Sequence, residues 1–276
     1  MTQFLGLDDF ILAALREDVG TGDITTLSTV AEDATSNGLF IAKENGVVAG
    51  LFVLPRVFAL LDGNVKIKLL AEEGARVQKG DVIAEISGTS RAILTGERVA
   101  LNILQHLSGI ATQTAKAVAA VKDSKTRIVD TRKTTPGMRE LEKYAVRAGG
   151  GANHRFGLSD GVLIKDNHIK TAGGITAAVA AARSAAPHTL KIEVECETPE
   201  QVAEALDARA DIIMLDNMTT AQMTAAVAQI ADRALIEASG NMGDRDLAEV
   251  AATGVDFISI GGLTHSVRAL DISLKF

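Results

Sequence analysis

The amino-acid sequence predicts an α/β protein, an open or incomplete α/β barrel of about six to seven parallel strands preceded by a smaller mixed α/β sandwich. Three observations predict it. From Arg127 onward, short apolar runs alternate with Ala-rich helical stretches, the rhythm of parallel strands joined by right-handed crossovers. Nearly every such run ends in polar residues or glycine, as strands do at the carboxyl-terminal mouth of a barrel. Between Ser36 and Ser87 the pattern differs, with short apolar or alternating runs cut by turn signals.

Taken in order, Leu7, Phe10, Ile11, Ala14 and Leu15 recur at helical spacing behind the capping candidates Asp8 and Asp9. The chain therefore opens with an amphipathic helix, which Gly20, Gly22 and Asp23 end. Strands are expected at Leu39–Ala42, Val47–Phe52, Val65–Leu70 and Val82–Ile86. The segment EEGARVQKGDVIAEISG looks like the hammerhead sheet of biotinyl and lipoyl carriers, yet Gly74 and the Lys79-Gly80-Asp81 turn are what any tight hairpin there needs. Thr95–Lys122 is the longest helical stretch, with Val99, Ile103, Leu104, Leu107, Ile110 and Ala111 on one face and Gly109 as a candidate break. Arg98 falls off that stripe and reads on its own as a solvated charge. The helix is expected to bridge two domains, 1–107 and 108–266, with the tail 267–276 able to pack back on the first.

The later strands are expected at Arg127–Asp130, Val162–Lys165, Leu190–Glu195, Ile212–Leu215, Ala234–Ala238 and Phe257–Ile260. A closed barrel has eight, so an open one is expected. Between the first two strands, Pro136 and Gly137 break the chain, Met138–Ala148 has helical composition, and Gly149, Gly150 and Gly151 form a hinge.

Composition excludes several function classes. With 276 residues and 47% hydrophobic content the chain can bury a large core. A net charge of −7, no Trp and a single Tyr argue against nucleic-acid binding. No apolar run approaches the roughly 20 residues that span a bilayer, and the N-terminus lacks signal-peptide features, so a cytoplasmic protein is expected. Cys196 is the only cysteine, which rules out an intrachain disulfide and a multi-cysteine zinc site.

The residues that follow each strand carry the chemistry. Arg132, Lys133, Arg155 and Lys165, with His154 adjacent, mix planar guanidinium forks and compact ammonium charges, which suits a ligand with several carboxylates or phosphates. The stretch Asp130–His168 holds seven positive and five negative charges in an otherwise acidic chain. Glu195 and Asp216 lie on consecutive strands, as a pair of Mg²⁺ ligands or as a general acid/base pair; the neighbouring cations favour metal and an anionic substrate. Glycine loops follow the last two strands, at Ser239, Gly240 and Asn241 and at Gly261 and Gly262, where barrels frequently bind phosphate. His265 stands within reach of the second loop, whereas His106 and His188 read as structural or solvated. Cys196 at a strand end is a candidate nucleophile whose commoner fate is burial. A Schiff-base aldolase using Lys165 or Lys133, and a ligand-binding regulator without turnover, are the alternatives these residues leave.

The strings DTRKTTPG, GGGANHR and LIKDNH, in this order, together with EDVGTGDITT near the start and ISIGGLTHS near the end, closely resemble the quinolinate phosphoribosyltransferases. That resemblance implies transfer of phosphoribosyl from 5-phosphoribosyl 1-pyrophosphate to quinolinate with decarboxylation, using Mg²⁺. It implies that Thr131, Arg132, His154, Arg155 and Lys165 hold quinolinate and that Lys133 bridges toward the pyrophosphate. Glu195 and Asp216 would contact ribose and metal, and Ser239, Gly240, Asn241, Gly261 and His265 would receive phosphate. It further implies a homodimer, with room for higher assembly, in which Arg98 enters the partner subunit's site.

Overall fold

The computed structural model describes residues 4–276, in which helix α1 (Leu7–Val19) and helix α2 (Ile24–Thr29) open the chain. Strands β1 (Thr35–Ala42) and β2 (Gly46–Val47), helix α3 (Val53–Leu61), and strands β3 (Lys66–Leu69), β4 (Arg76–Val77) and β5 (Val82–Thr89) lead into the long helix α4 (Ser90–Ala120). Strand β6 (Arg127–Val129) and helix α5 (Arg139–Ala148) follow. From there strands and helices alternate: β7 (Val162–Ile164), α6 (Asp166–Ala172), α7 (Ile175–Ala185), β8 (Ile192–Cys196), α8 (Pro199–Asp207), β9 (Ile212–Asp216), α9 (Thr220–Ile230) and β10 (Leu235–Ser239). The chain ends with α10 (Leu247–Ala252), β11 (Phe257–Ser259), α11 (Gly262–His265) and β12 (Ile272–Lys275). No helix among the described residues is long and apolar enough to cross a membrane.

Two compact units result. The second, Lys116–Thr134 with Gly151–Ser266, is built on a six-stranded parallel sheet in the order β6-β11-β10-β9-β8-β7. All six expected strands are present, and no ladder joins β7 to β6 among the described residues, so the sheet is open. Its helices follow from local chemistry. Thr198 and Thr219 each cap the helix that follows them by accepting from the N–H of Gln201 and Gln222, and Pro199 opens α8 where a missing N–H costs nothing. Helix α7 packs on α8 and α8 on α9, as sequential crossovers of one hand require.

Register assigns every strand residue to a face. Glu195 lies opposite Met214, Met214 opposite Glu237, and Asp216 opposite Ser239. Paired residues point the same way, so these share one face with Glu193. Val194, Cys196, Ile213, Leu215, Ile236, Ala238 and Ile258 occupy the other, and all are buried. That apolar face is the side the helices cover.

The first unit comprises the described part of Met1–Ala115 together with Thr135–Gly150 and Val267–Phe276. Its four-stranded antiparallel sheet runs β12-β1-β5-β3, so the C-terminal tail supplies an edge strand. Along α4 the expected stripe is buried from Val99 to Ala111, while Arg98 is exposed. The expected strand Val47–Phe52 does not form beyond Val47. Its backbone instead bonds to α4: the N–H groups of Val47 and Ala49 donate to Thr112 Oγ1 and Ser108 Oγ at 2.8 and 3.1 Å. The Val48 N–H donates to the Ala75 carbonyl and its own carbonyl accepts from the Gly74 N–H, while Gly50 and Phe52 donate to the Glu73 carboxylate, so the backbone is satisfied without a regular ladder past Val47.

Gly109 does not break α4, which runs through it. It serves close approach instead, because a Cβ there would lie 2.4 Å from the Arg268 carbonyl oxygen and 3.0 Å from Ala269 Cα. Gly109→Ala gains about 1 kcal/mol of helix propensity and meets an overpacking cost of roughly 1–3 kcal/mol against a backbone that cannot rotate away. The variant is expected to melt a few degrees lower by calorimetry, and an unchanged or higher Tm would show that the tail yields freely.

Candidate active site

The polar face of the parallel sheet ends in the predicted residues, and all of them except Arg98 belong to the second unit. Lys165 leaves β7 in line with Glu195, and its Nζ lies 2.8 Å from Glu195 Oε2. Asp216 closes β9 on the same face, one strand over, and accepts from Asn217 Nδ2 at 2.6 Å. The loop after β10 presses against that turn. A Cβ on Gly240, whose φ is +92°, would lie 2.3 Å from Asn217 Oδ1 and 2.7 Å from its backbone nitrogen, so only glycine fits. Asn241 continues with φ +48°, a conformation that asparagine tolerates better than most residues.

The cations gather at the same ends. Arg132 and Arg155 are both half-buried, and burial first, then the Arg132 charge, hold the Arg155 guanidinium below its usual range. Two guanidiniums placed within mutual repulsion and partly shielded from water form a receptor for an anion with more than one charge. The Lys133 side chain runs past Gly261 to His265: a Cβ at Gly261 would lie 3.1 Å from Lys133 Cδ and 3.2 Å from His265 Nε2. Thr264, which the sequence reading passed over, fixes this arrangement by donating from Oγ1 to the Lys133 carbonyl at 2.8 Å. The Thr131 hydroxyl accepts from the Lys133 N–H at 3.0 Å. The catalytic-nucleophile reading of Cys196 finds no support, since the side chain is fully buried on the helix-covered face and burial pushes its thiol up to about 12.

Beneath this layer lies a group that the sequence reading also passed over. Glu193 and Glu237 are 4% and 3% exposed, and their Oε2 atoms stand 3.1 and 3.5 Å from His154 Nε2. The signal was present, because β8 reads Ile-Glu-Val-Glu-Cys and the first glutamate alternates onto the same face as Glu195. Asp130, fully buried, holds the segment above by accepting from His154 N–H at 2.9 Å and from Asn153 Nδ2 at 2.6 Å. Among the described residues the one cluster of three His, Cys, Asp or Glu with ligand atoms close enough for a metal is this buried trio. Glu195 and Asp216 supply two carboxylates, the number that Mg²⁺ accepts when substrate oxygens and water complete its shell.

Burial, then the neighbouring Glu193, raises the Glu237 carboxyl to about 8. Between its ordinary value near 4.5 and that point the folded chain keeps a proton that the unfolded chain has lost. Stability tied to Glu237 is therefore full below that window and declines as pH rises through it. Glu237→Gln removes the dependence, so the melting temperature of the wild type relative to the variant should fall from pH 5 to pH 8, with a ceiling of about 1.4 kcal/mol per pH unit for one proton. A difference that stays constant over that range would mean that Glu237 is ionised throughout.

Comparison with known proteins agrees with this architecture. Residues 23–108 match the N-terminal domain and residues 110–275 the C-terminal domain of quinolinate phosphoribosyl transferase. A probable nicotinate-nucleotide pyrophosphorylase (carboxylating) of Bacillus subtilis is 50% identical over 94% of this chain and 89% of its own length. The nicotinate-nucleotide pyrophosphorylase (carboxylating) of Mycobacterium leprae is 45% identical over 99% of this chain and 98% of its own. The solved structure of the nicotinate-nucleotide pyrophosphorylase from Francisella tularensis, 41% identical, superposes with a TM-score of 0.93 over 98% of this chain and 95% of that one. With both domains matched along nearly its whole length and the polar strand ends in place, the chain belongs to the quinolinate phosphoribosyl transferase family.

Proposed function

We propose that this protein transfers phosphoribosyl from 5-phosphoribosyl 1-pyrophosphate to quinolinate and releases CO₂, giving nicotinate mononucleotide and pyrophosphate. Family membership supports the reaction, and one observation of the site carries it. Across one open sheet the ends of the two edge strands, β6 and β7, carry the cations, and between them the ends of β8 and β9 carry carboxylates and those of β10 and β11 glycine loops, groups that suit a dianionic ring, a ribose and phosphates.

Arg132, Arg155 and Lys165, with Thr131 and His154 beside them, form the quinolinate end. Ser239, Gly240, Asn241 and Gly261 form the phosphate end, with Lys133 and His265 reaching along the second glycine loop toward pyrophosphate. Glu195 and Asp216 lie between the two ends, where a ribose develops positive character as pyrophosphate departs, and fixed carboxylates stabilise that charge. The same two residues would hold Mg²⁺, whose contribution is to neutralise charge on the leaving pyrophosphate. As the ring nitrogen bonds to the ribose carbon, the bond to pyrophosphate breaks and the ring becomes cationic. The adjacent carboxylate can then leave as CO₂, its bonding pair remaining on the ring carbon until a proton replaces it. The protein's part is to hold ring and ribose in line and to keep water from the reacting carbon.

Arg98 is assigned to a partner subunit's site in a homodimer, a reading supported by its exposed position off the apolar stripe of α4. A Schiff-base aldolase fits less well, because Lys165 is ion-paired with Glu195 instead of lying in the apolar pocket that activates such a lysine.

Purified protein with quinolinate, phosphoribosyl pyrophosphate and Mg²⁺ is expected to release CO₂ and nicotinate mononucleotide in equal amounts, and nicotinate in place of quinolinate is expected to give none. Product from nicotinate alone would keep the phosphoribosyl transfer and remove the carboxylating assignment. Lys133→Ala is expected to lower kcat by about 10²–10³, the cost of losing one fixed charge at a transition state, with Tm unchanged because the side chain is exposed. Near-normal turnover in that variant would remove Lys133 from the site.

A further inference from the structure

We infer that Arg245 is a positioning residue for phosphoribosyl pyrophosphate: it locks the turn after β9 to the glycine loop after β10, so that Asp216 and the backbone amides at Ser239–Asn241 keep a fixed separation. The inference deepens the functional reading above and rests on it for what these groups bind, whereas the lock itself does not depend on that reading.

The two loops are joined from both sides. Just past the last paired residues of β9 and β10, Asp216 and Ser239, the Asn217 N–H donates to the Ser239 carbonyl at 3.1 Å. Gly240 then packs against the same asparagine at a spacing that admits no Cβ. Both contacts fall on the first residue of the turn. Arg245, half-buried, holds its far side, donating from Nη1 to the Met218 carbonyl at 2.8 Å and from Nη2 to Thr220 Oγ1 at 3.1 Å. One planar guanidinium thus spans Met218 to Thr220 with a fixed geometry that a compact ammonium does not reproduce.

The backbone of these loops needs such a hold. Asn217 and Asn241 have φ of +55° and +48°, the left-handed region that residues with a side chain keep only where their surroundings impose it. Met218 and Met242 are buried and root each loop in the core, but a rooted side chain does not set how far one loop stands from the other. Local charge does not explain the contact. Thr219 caps α9 and Thr220 is its first residue, so the Arg245 cation lies at the positive end of that helix dipole, where it is disfavoured. Asp246, next in the chain, is committed to α10, accepting from the N–H groups of Ala248 and Glu249. The fork is directed across the loops, and its consequence is spacing. A ligand that spans Asp216 and Ser239–Asn241 meets groups already set apart at the right distance and does not have to order them. In the reading above that ligand is phosphoribosyl pyrophosphate, whereas quinolinate lies with Arg132, Arg155 and Lys165 and draws on neither loop.

The test uses the full chain with Arg245→Met, which removes both bonds and keeps an aliphatic stem, and Arg245→Lys, which keeps the charge without the fork. Hydrogen–deuterium exchange followed by mass spectrometry reads the lock with no substrate present. Segment 216–220, whose N–H groups cannot bond a guanidinium, is expected to exchange about tenfold faster in both variants, the net worth of one hydrogen bond, while segment 192–196 of β8 stays unchanged. Unaltered exchange at 216–220, or an equal rise at 192–196, overturns the lock. In the kinetic arm KM for phosphoribosyl pyrophosphate is expected to rise about tenfold in both variants, with KM for quinolinate within about twofold. Rescue by Arg245→Lys would assign the residue to simple attraction of phosphate, and equal rises for both substrates to general loosening; either result overturns the positioning role. A wild type that makes no product from quinolinate would sink the proposed reaction, and the exchange data would still decide the lock.

Discussion

The strict alternation of side chains along a parallel strand is the constraint on which the rest of this structure depends. One face of the six-stranded sheet must be apolar because helices α7, α8 and α9 need a surface to cover. Every group with chemistry in β8, β9 and β10 is thereby sent to the opposite face, and register then sets its neighbours. Glu195 meets Lys165, and Asp216 meets Ser239, without any loop having to choose them. The same rule puts Glu193 and Glu237 two residues deeper, where water does not reach. A carboxylate left alone there would cost several kcal/mol. Placing His154 over the pair makes that cost smaller, and it brings the segment carrying Arg155 to a defined height above the sheet.

Much of this was legible in the sequence because the signals were local. The six parallel strands follow from short apolar runs, the helices between them from Ala-rich stretches, and the polar strand ends from the residues next in line. What escaped detection depends on distant partners. The run Val47–Phe52 has a strand's composition, and only the hydroxyls of Ser108 and Thr112, about 60 residues on, and the Glu73 carboxylate show where its N–H groups go in place of a regular ladder. Gly109 looks like a breaker, yet its meaning comes from the tail at Arg268. Nothing local singles out Glu193 or Glu237, although alternation alone places the first of them on the face of Glu195. Their importance became visible with His154, which reaches them from a loop whose path no periodicity describes.

The site therefore has two tiers with different energetics. The lower tier, with Asp130, Glu193, Glu237 and the His154 ring, is buried or nearly so, and groups there are bound by hydrogen bonds that are expensive to break. The upper tier is exposed enough to exchange partners. The Lys165 and Glu195 side chains are 48% and 13% exposed, and an ion pair open to water on one side contributes about 0–1 kcal/mol. An anion that claimed Lys165 and a cation that claimed Glu195 would displace such a pair at little cost. Were the pair as deep as Glu193 and Glu237, ligand binding would first have to break a contact worth several kcal/mol. Burial depth along a single strand, two residues from Glu193 to Glu195, thus separates the groups that hold the site in shape from the groups free to bind.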